Sequence, residues 1–205
     1  KPRPRRDDHP RGAQLPDAVM EPGLLPAGKV VALARSAGHS FSKQVIDEVR
    51  LIAGKGVEGD AHLGEKVQHL SRVRVDPDQP NLRQVHLIGE ELLDELALEG
   101  FAVSPGQLGE NVTTRGIDLL ALPQCSLLKI GDSVELEVTG LRNPCAQIEA
   151  FRPGLLARVV SKDSSGNLIR RAGIMAVVRR GGQARLGDEI KVVLPAGAHL
   201  PLERV

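Results

Sequence analysis

The sequence predicts a mainly β domain of barrel type with a few short helices. Short apolar and β-branched runs are separated by glycine, proline and aspartate turn signals along most of its 205 residues. A Gly-Asp turn feeding a β-branched run occurs twice, at Gly131-Asp132 and Gly187-Asp188. No regular alternation of strand and helix points to a doubly wound sheet.

The elements follow in order. Residues 1–28 hold Pro2, Pro4, Pro10, Pro16, Pro22 and Pro26 among Arg3, Arg5, Arg6 and Arg11. Such a stretch has too little apolar surface to offset its ordering entropy, so a flexible tail is expected, with one folded domain over 29–205. A nucleic-acid-binding arm is the rival reading of these arginines. Because the sequence starts at Lys1 rather than Met, some preceding residues are expected to be missing.

Val30 to Leu33 and then Val45, Val49, Leu51 and Ile52 read as strands, followed by a glycine-rich turn from Gly54 to Gly64. Gln84 to Ile88 reads as a buried strand running into a helix from Gly89 to Leu96, with Glu90 and Glu91 at its positive end and Gly100 as its stop. Ala172 to Val178 is a further strand, ended at Arg179 to Gly182.

Composition restricts function. Three Phe and no Trp or Tyr leave no stacking platform for single-stranded nucleic acid. With 27 basic and 26 acidic residues the net charge is +1, without the basic excess of a nucleic-acid binder. No segment approaches the roughly 18 consecutive apolar residues of a membrane span, and no apolar stretch follows the basic start as in a secretory signal. Two cysteines make no disulfide framework. A cytoplasmic location is therefore expected.

Of the two cysteines, Cys145 has the chemically interesting setting. Asn143 precedes a proline, which disfavours helical backbone there, while Asn suits an N-cap and Pro the first helical position. Ile148 and Phe151, three apart, then mark one face of a short helix ended by Pro153-Gly154. This places Cys145 at the second helical position, with Arg142 three residues before it. Helix starts and neighbouring cations are where reactive thiolates form. Cys125 lies among Leu122, Pro123, Leu127 and Leu128 with no cation beside it, and reads as a structural thiol.

Two polar glycine loops accompany the thiol. Lys55 to Gly64 brings Gly56, Gly59 and Gly64 together with Asp60 and His62. Its glycines would let backbone N–H groups approach an anion, although a hairpin turn is the ordinary reading. Ser104 to Arg115, containing Glu110 and Asn111, reads on residue chemistry alone as a solvated loop. The spacing of His62, His69, His86 and Cys145 matches no zinc pattern. His69 reads as a surface histidine and His86 as a core one.

In order along the chain, Gly56-Val57-Glu58-Gly59-Asp60-Ala61-His62, Pro105-Gly106-Gln107-Leu108-Gly109-Glu110-Asn111-Val112, Leu127 to Val138, and Leu141-Arg142-Asn143-Pro144-Cys145-Ala146-Gln147-Ile148 resemble the MOSC domain. That family is named for the C-terminal domain of molybdenum cofactor sulfurase, and the resemblance covers the chain from about Lys29 onward. It implies a MOSC-type β-barrel and a molybdenum-pterin cofactor. Cys145 would then be the catalytic residue, as molybdenum ligand or as sulfur carrier. By motif position, Arg142, Asn143, Gly59, Asp60, His62, Glu110 and Asn111 would bind the cofactor.

The match is to the small stand-alone bacterial type, without the pyridoxal-phosphate domain or fused electron-transfer domain of larger relatives. A separate partner is thus expected. This is an electron donor if the protein is an oxidoreductase for N-hydroxylated compounds, or a cysteine desulfurase if Cys145 carries a persulfide. A binding module without catalysis is the third alternative, with no nucleic-acid or membrane partner in any of them.

Overall fold

A computed structural model describes residues 28–205. Strand β1 (Gly28–Arg35) opens the domain, followed by β2 (Gln44–Ile46), β3 (Glu48–Ile52) and β4 (Gly56–Val57). A single-turn helix α1 (Leu70–Val73) precedes β5 (Val85–Gly89), α2 (Glu90–Leu98) and β6 (Val112–Arg115). Strands β7 (Leu127–Ile130) and β8 (Val134–Leu141) lead into helices α3 (Ala146–Phe151) and α4 (Leu156–Val159). Strands β9 (Val160–Lys162), β10 (Leu168–Arg170), β11 (Ile174–Arg180), β12 (Gly182–Arg185) and β13 (Glu189–Val193) complete the chain. The expected tail, residues 1–28, lies outside the described residues except for Gly28, which already belongs to β1.

The barrel expectation holds. Strands run in the order β13-β7-β8-β11-β5-β6-β1, and pairing of β1 with β13 closes the ring at seven strands. Closure leaves no unpaired edge in the ring. Two register shifts along the β8–β11 pair and one along β1–β6 supply the local bends that a small barrel needs. The interior is aliphatic, as the near absence of aromatics requires: Leu33, Leu87, Leu128, Ile130, Leu136, Ile174 and Ile190 are fully buried there.

Both Gly-Asp turns form, with Gly131 and Gly187 at φ +54° and +88°. Their strands differ in partner, however. β7 and β8 form a hairpin, whereas β12 pairs with β3 and β13 with β7. The repeated turn is therefore a local likeness and not a repeated hairpin.

One connection departs from an antiparallel plan. β5 and β6 are parallel, and α2 belongs to the crossover that joins them. α2 buries Leu92, Leu93 and Leu96 in a second apolar cluster with Ile88, Leu108, Ile148, Leu155 and Val159, outside the barrel wall. That cluster covers the outer face of β5 through Ile88, whereas Met175 on the outer face of β11 is buried in the wall of a cavity, so both strands are buried on each face rather than alternating. It also clamps α3 through Ile148, fixing the chain just after Cys145. Gly173 permits the closest approach in this region: with φ +90°, a Cβ there would stand 2.1 Å from the Leu87 carbonyl.

Candidate functional site

At the end of β8 the chain leaves the barrel through Arg142, Asn143 and Pro144 and reaches Cys145. The helix begins later than expected. Cys145 is the N-cap of α3, with extended backbone at φ −134° and ψ 172°, and Ala146 is the first helical residue. Pro144 holds Asn143 out of the helical region, and the Asn143 side chain accepts a hydrogen bond from Arg170 Nε at 3.4 Å instead of capping the helix. The Cys145 carbonyl accepts from the Ile148 amide at 3.0 Å, while its Sγ makes only a 3.5 Å contact with Gln147 Oε1. Cys145 is half-buried and free.

Cys125 differs from expectation too. It is free, exposed and in the left-handed region at φ +66°, not a buried structural thiol. The apolar residues that follow it turn inward with β7, and the turn carrying Cys125 stays outside.

The Cys145 thiol lines a cavity of about 430 Å³. Lys43, Arg74, Arg83 and Arg142 also line it, and among the described residues no Asp or Glu does. Arg142 is the most telling of these cations. It is 9% exposed, and its Nη1 is buried without a hydrogen-bond partner. Its guanidinium lies 5.9 Å from the centroid of the Phe41 ring. Burial pulls its pKa down, opposed by the proximity of Cys145 and Glu110.

Beneath the cavity Asp60 organises a buried network. Its carboxylate accepts from Lys43 Nζ at 2.7 Å, Asn111 Nδ2 at 3.0 Å and the His62 amide at 3.0 Å, and Nδ1 of His62 lies 3.1 Å away. Burial alone would raise the Asp60 pKa. The His62 hydrogen bonds and the Lys43 charge outweigh it and hold the carboxyl well below the usual range. With Nδ1 of His62 directed at Asp60, Nε2 is the ring nitrogen left for the cavity. His39 and His69 flank that ring at centroid distances of 5.3 and 5.8 Å. Among the described residues no group of three or more His, Cys, Asp or Glu side chains is placed to hold a metal ion.

Four of the eight residues singled out in the sequence therefore line the cavity: Cys145, Arg142, His62 and Asn111. Asn111 acts as a strut, since its amide donates to the Ala34 carbonyl and Asp60 and accepts from the His86 amide. Gly59, Asp60, Glu110 and Asn143 stand behind or beside the wall. Gly59, at φ +75°, lets Arg35 pass: a Cβ there would meet its Nη1 at 2.7 Å. Glu110 is fully buried, accepting from the Gly106 amide at 2.6 Å and from Thr113 Oγ1 at 3.3 Å, with Oε2 unpartnered. Burial pushes its pKa up. The solvated-loop reading of 104–115 thus gives way to a packed segment in which Glu110, Asn111, Thr113 and Thr114 are buried.

His86 is a core histidine as expected, 5% exposed, and it also reaches the cavity wall, its Nε2 lying 2.8 Å from the Ala172 carbonyl. His69 is half-buried in that wall rather than on the surface. Sequence reasoning missed Phe41, Lys43, Arg74 and Arg83. The polar run Ser36 to Lys43 between two strands was the available signal for the first two.

Burial, followed by the charges of Arg83, His62 and Arg142, lowers the His69 pKa to about 4. Burial and Arg142 keep that of His86 well below its ordinary value. Both folded values lie below the unfolded value of about 6.5. Their contribution is complete above that pH and is lost as the pH falls towards the folded values. Urea unfolding is expected to show stability declining between about pH 6.5 and 4, with a shallower decline in His69→Gln. A wild-type curve flat over that range would contradict this reading.

The MOSC domain family profile matches residues 59–191, and the chain belongs to that family, a domain class associated with the molybdenum cofactor. The solved YuaD protein from Bacillus subtilis is similar, with 27% identity over 83% of this chain and 97% of that one, and a TM-score of 0.67. YiiM from Escherichia coli shares the fold at 17% identity over 84% and 73% of the two chains, with a TM-score of 0.56. YiiM from Geobacillus stearothermophilus does so at 13% identity over 85% and 79%, with a TM-score of 0.58. Comparison with curated proteins gives no match. No helix among the described residues is long and apolar enough to cross a membrane.

Proposed function

We propose that this protein holds an anionic molybdenum-pterin cofactor in the Cys145 cavity, with Cys145 as the protein ligand to molybdenum, and reduces N-hydroxylated compounds. The observation that carries this reading is the buried Arg142 beside the thiol, whose Nη1 has no hydrogen-bond partner, in a wall that among the described residues contains cations and no carboxylates. A buried guanidinium nitrogen without a hydrogen bond is costly, and an anionic ligand would relieve that cost. The volume lies within the usual range for small-ligand sites, about 300–1,000 Å³. A thiolate is a soft ligand of the kind such a metal accepts.

When bound, the cofactor would supply the two-electron reduction that converts N–OH to N–H with release of water. The electrons come from a separate donor protein and two protons from solvent. In the chain itself, Arg142 would balance ligand charge with the Phe41 ring supporting its guanidinium, while Lys43 stays paired with Asp60. His62, oriented through Nδ1 by Asp60, presents Nε2 as the proton relay to the departing oxygen.

The test is anaerobic turnover of a simple N-hydroxylated amidine, with dithionite and a viologen as electron source, by protein from a host that makes the cofactor. Amidine formation proportional to molybdenum content is expected. Protein with full molybdenum occupancy and no product would contradict the reaction.

A second reading draws on the accessible Cys145 sulfur, which has only the single long contact to Gln147. The thiolate would attack the terminal sulfur of a desulfurase persulfide, forming Cys145–S–S⁻ and releasing the donor thiolate. A sulfur-sized mass increment on the peptide containing Cys145, absent in Cys145→Ser, would support it. An unmodified peptide after incubation with an active desulfurase would refute it.

A further inference from the structure

A second cavity of about 360 Å³ adjoins the first and shares His62, His69 and Arg83 with it. It continues to Arg72, Arg204 and Val205, and among the described residues no Asp or Glu side chain lines it. Among the described residues Arg115 pairs with Glu90, Arg158 with Glu99, Arg171 with Glu95, Arg179 with Glu137 and Arg185 with Glu48, while Arg35, Arg152 and Arg170 are hydrogen-bonded to a carbonyl or an Asn side chain instead. Among the described residues Arg72, Arg83 and Arg204 have no such partner, and Arg83 Nε is buried without any hydrogen bond. Burial, then the positive charges of Arg72, Arg142 and Arg204, pull the Arg83 pKa down to about 10. Like charges gathered on one wall repel one another, and an anion between them relieves both the repulsion and the missing hydrogen bonds. Guanidinium groups match phosphate oxygens in bidentate geometry better than they match a monatomic anion.

We propose that this second cavity is a phosphate subsite. Arg72, Arg83 and Arg204 receive a phosphomonoester or diphosphate group of an elongated ligand whose other end lies beside Cys145. Only the identity of that other end rests on the molybdenum reading above. The arginine wall stands without it. Arg83, common to both cavities, is the hinge of the arrangement, and Arg142 belongs to the thiol end.

Isothermal titration of the full chain with inorganic pyrophosphate tests the subsite. Saturable binding at one site per chain is expected, weakened at least about tenfold in Arg72→Gln/Arg204→Gln and unchanged in Cys145→Ser. These two arginines are partly or wholly exposed, so that double variant remains readable if Arg83→Gln fails to fold. Absence of saturable binding would overturn the proposal. So would full affinity in the double variant with loss only in Arg142→Gln, which would place the anion in the first cavity.

Molybdenum content of the double variant distinguishes the two sources of phosphate. A fall alongside lost pyrophosphate binding assigns the phosphate to the cofactor. Unchanged molybdenum with lost binding assigns it to a separate phosphorylated substrate. A wild-type protein that takes no molybdenum yet binds pyrophosphate would retain the subsite and sink only the cofactor reading.

Discussion

Replacing Cys145 by serine is expected to lower molybdenum retention at least about a hundredfold, since loss of even an outer-shell partner costs metal sites about 10–100-fold. The fold should survive, with a stability change within about 1 kcal/mol, because the sulfur makes one long contact and α3 is held by Ile148 rather than by Cys145. Serine keeps the N-cap position and even suits it, so a loss cannot be ascribed to helix fraying. Cys125→Ser, on an exposed turn, is the control and should leave retention intact. Equal loss in both variants would point to general thiol damage and not to a site at Cys145.

The largest stability effect should come from Asp60. The Asp60 and Lys43 side chains are 2% and 4% exposed, so Asp60→Ala leaves a buried ammonium without its partner. Breaking such a pair costs about 3–5 kcal/mol. At about 2–4 °C per kcal/mol for a domain of this size, thermal unfolding should fall by roughly 6–20 °C. Lys43→Met added to Asp60→Ala should recover part of that loss, because the uncompensated charge is gone. Strictly additive losses would show that the pair is not coupled.

The sign with pH follows from the same contacts. The folded pKa of Asp60 is depressed, so its contribution is complete above the unfolded value of about 3.9. It is lost only as the pH falls from there through the folded value. The stability gap between wild type and Asp60→Ala should therefore stay constant down to about pH 4 and close only below it.

Much of the fold was legible because its signals are local. The Gly131-Asp132 turn between β7 and β8, the acidic start and Gly100 stop of α2, and the apolar runs of β5 and β11 each depend on a few adjacent residues. The closing β1–β13 pair and the parallel β5–β6 pair join distant segments, and no local pattern encodes them. The helix at Cys145 was found, but its start was placed too early. Asn143 and Pro144 satisfy the preferences for a cap, yet Asn143 turns to Arg170, a partner 27 residues away.

The cavity wall was the least legible part. Lys43, Arg74, Arg83 and Arg142 come from four separate segments, and a net charge of +1 conceals their convergence. Glu110 was picked out by its motif, but only packing shows it to be a fully buried carboxyl behind the wall.

The most direct test of molybdenum ligation by Cys145 is thiol alkylation followed by peptide mass spectrometry, with Cys125 as the internal reference. In cofactor-free protein both cysteines should react; in molybdenum-loaded protein Cys145 should be protected while Cys125 still reacts. Equal labelling of Cys145 in the two forms would contradict the account.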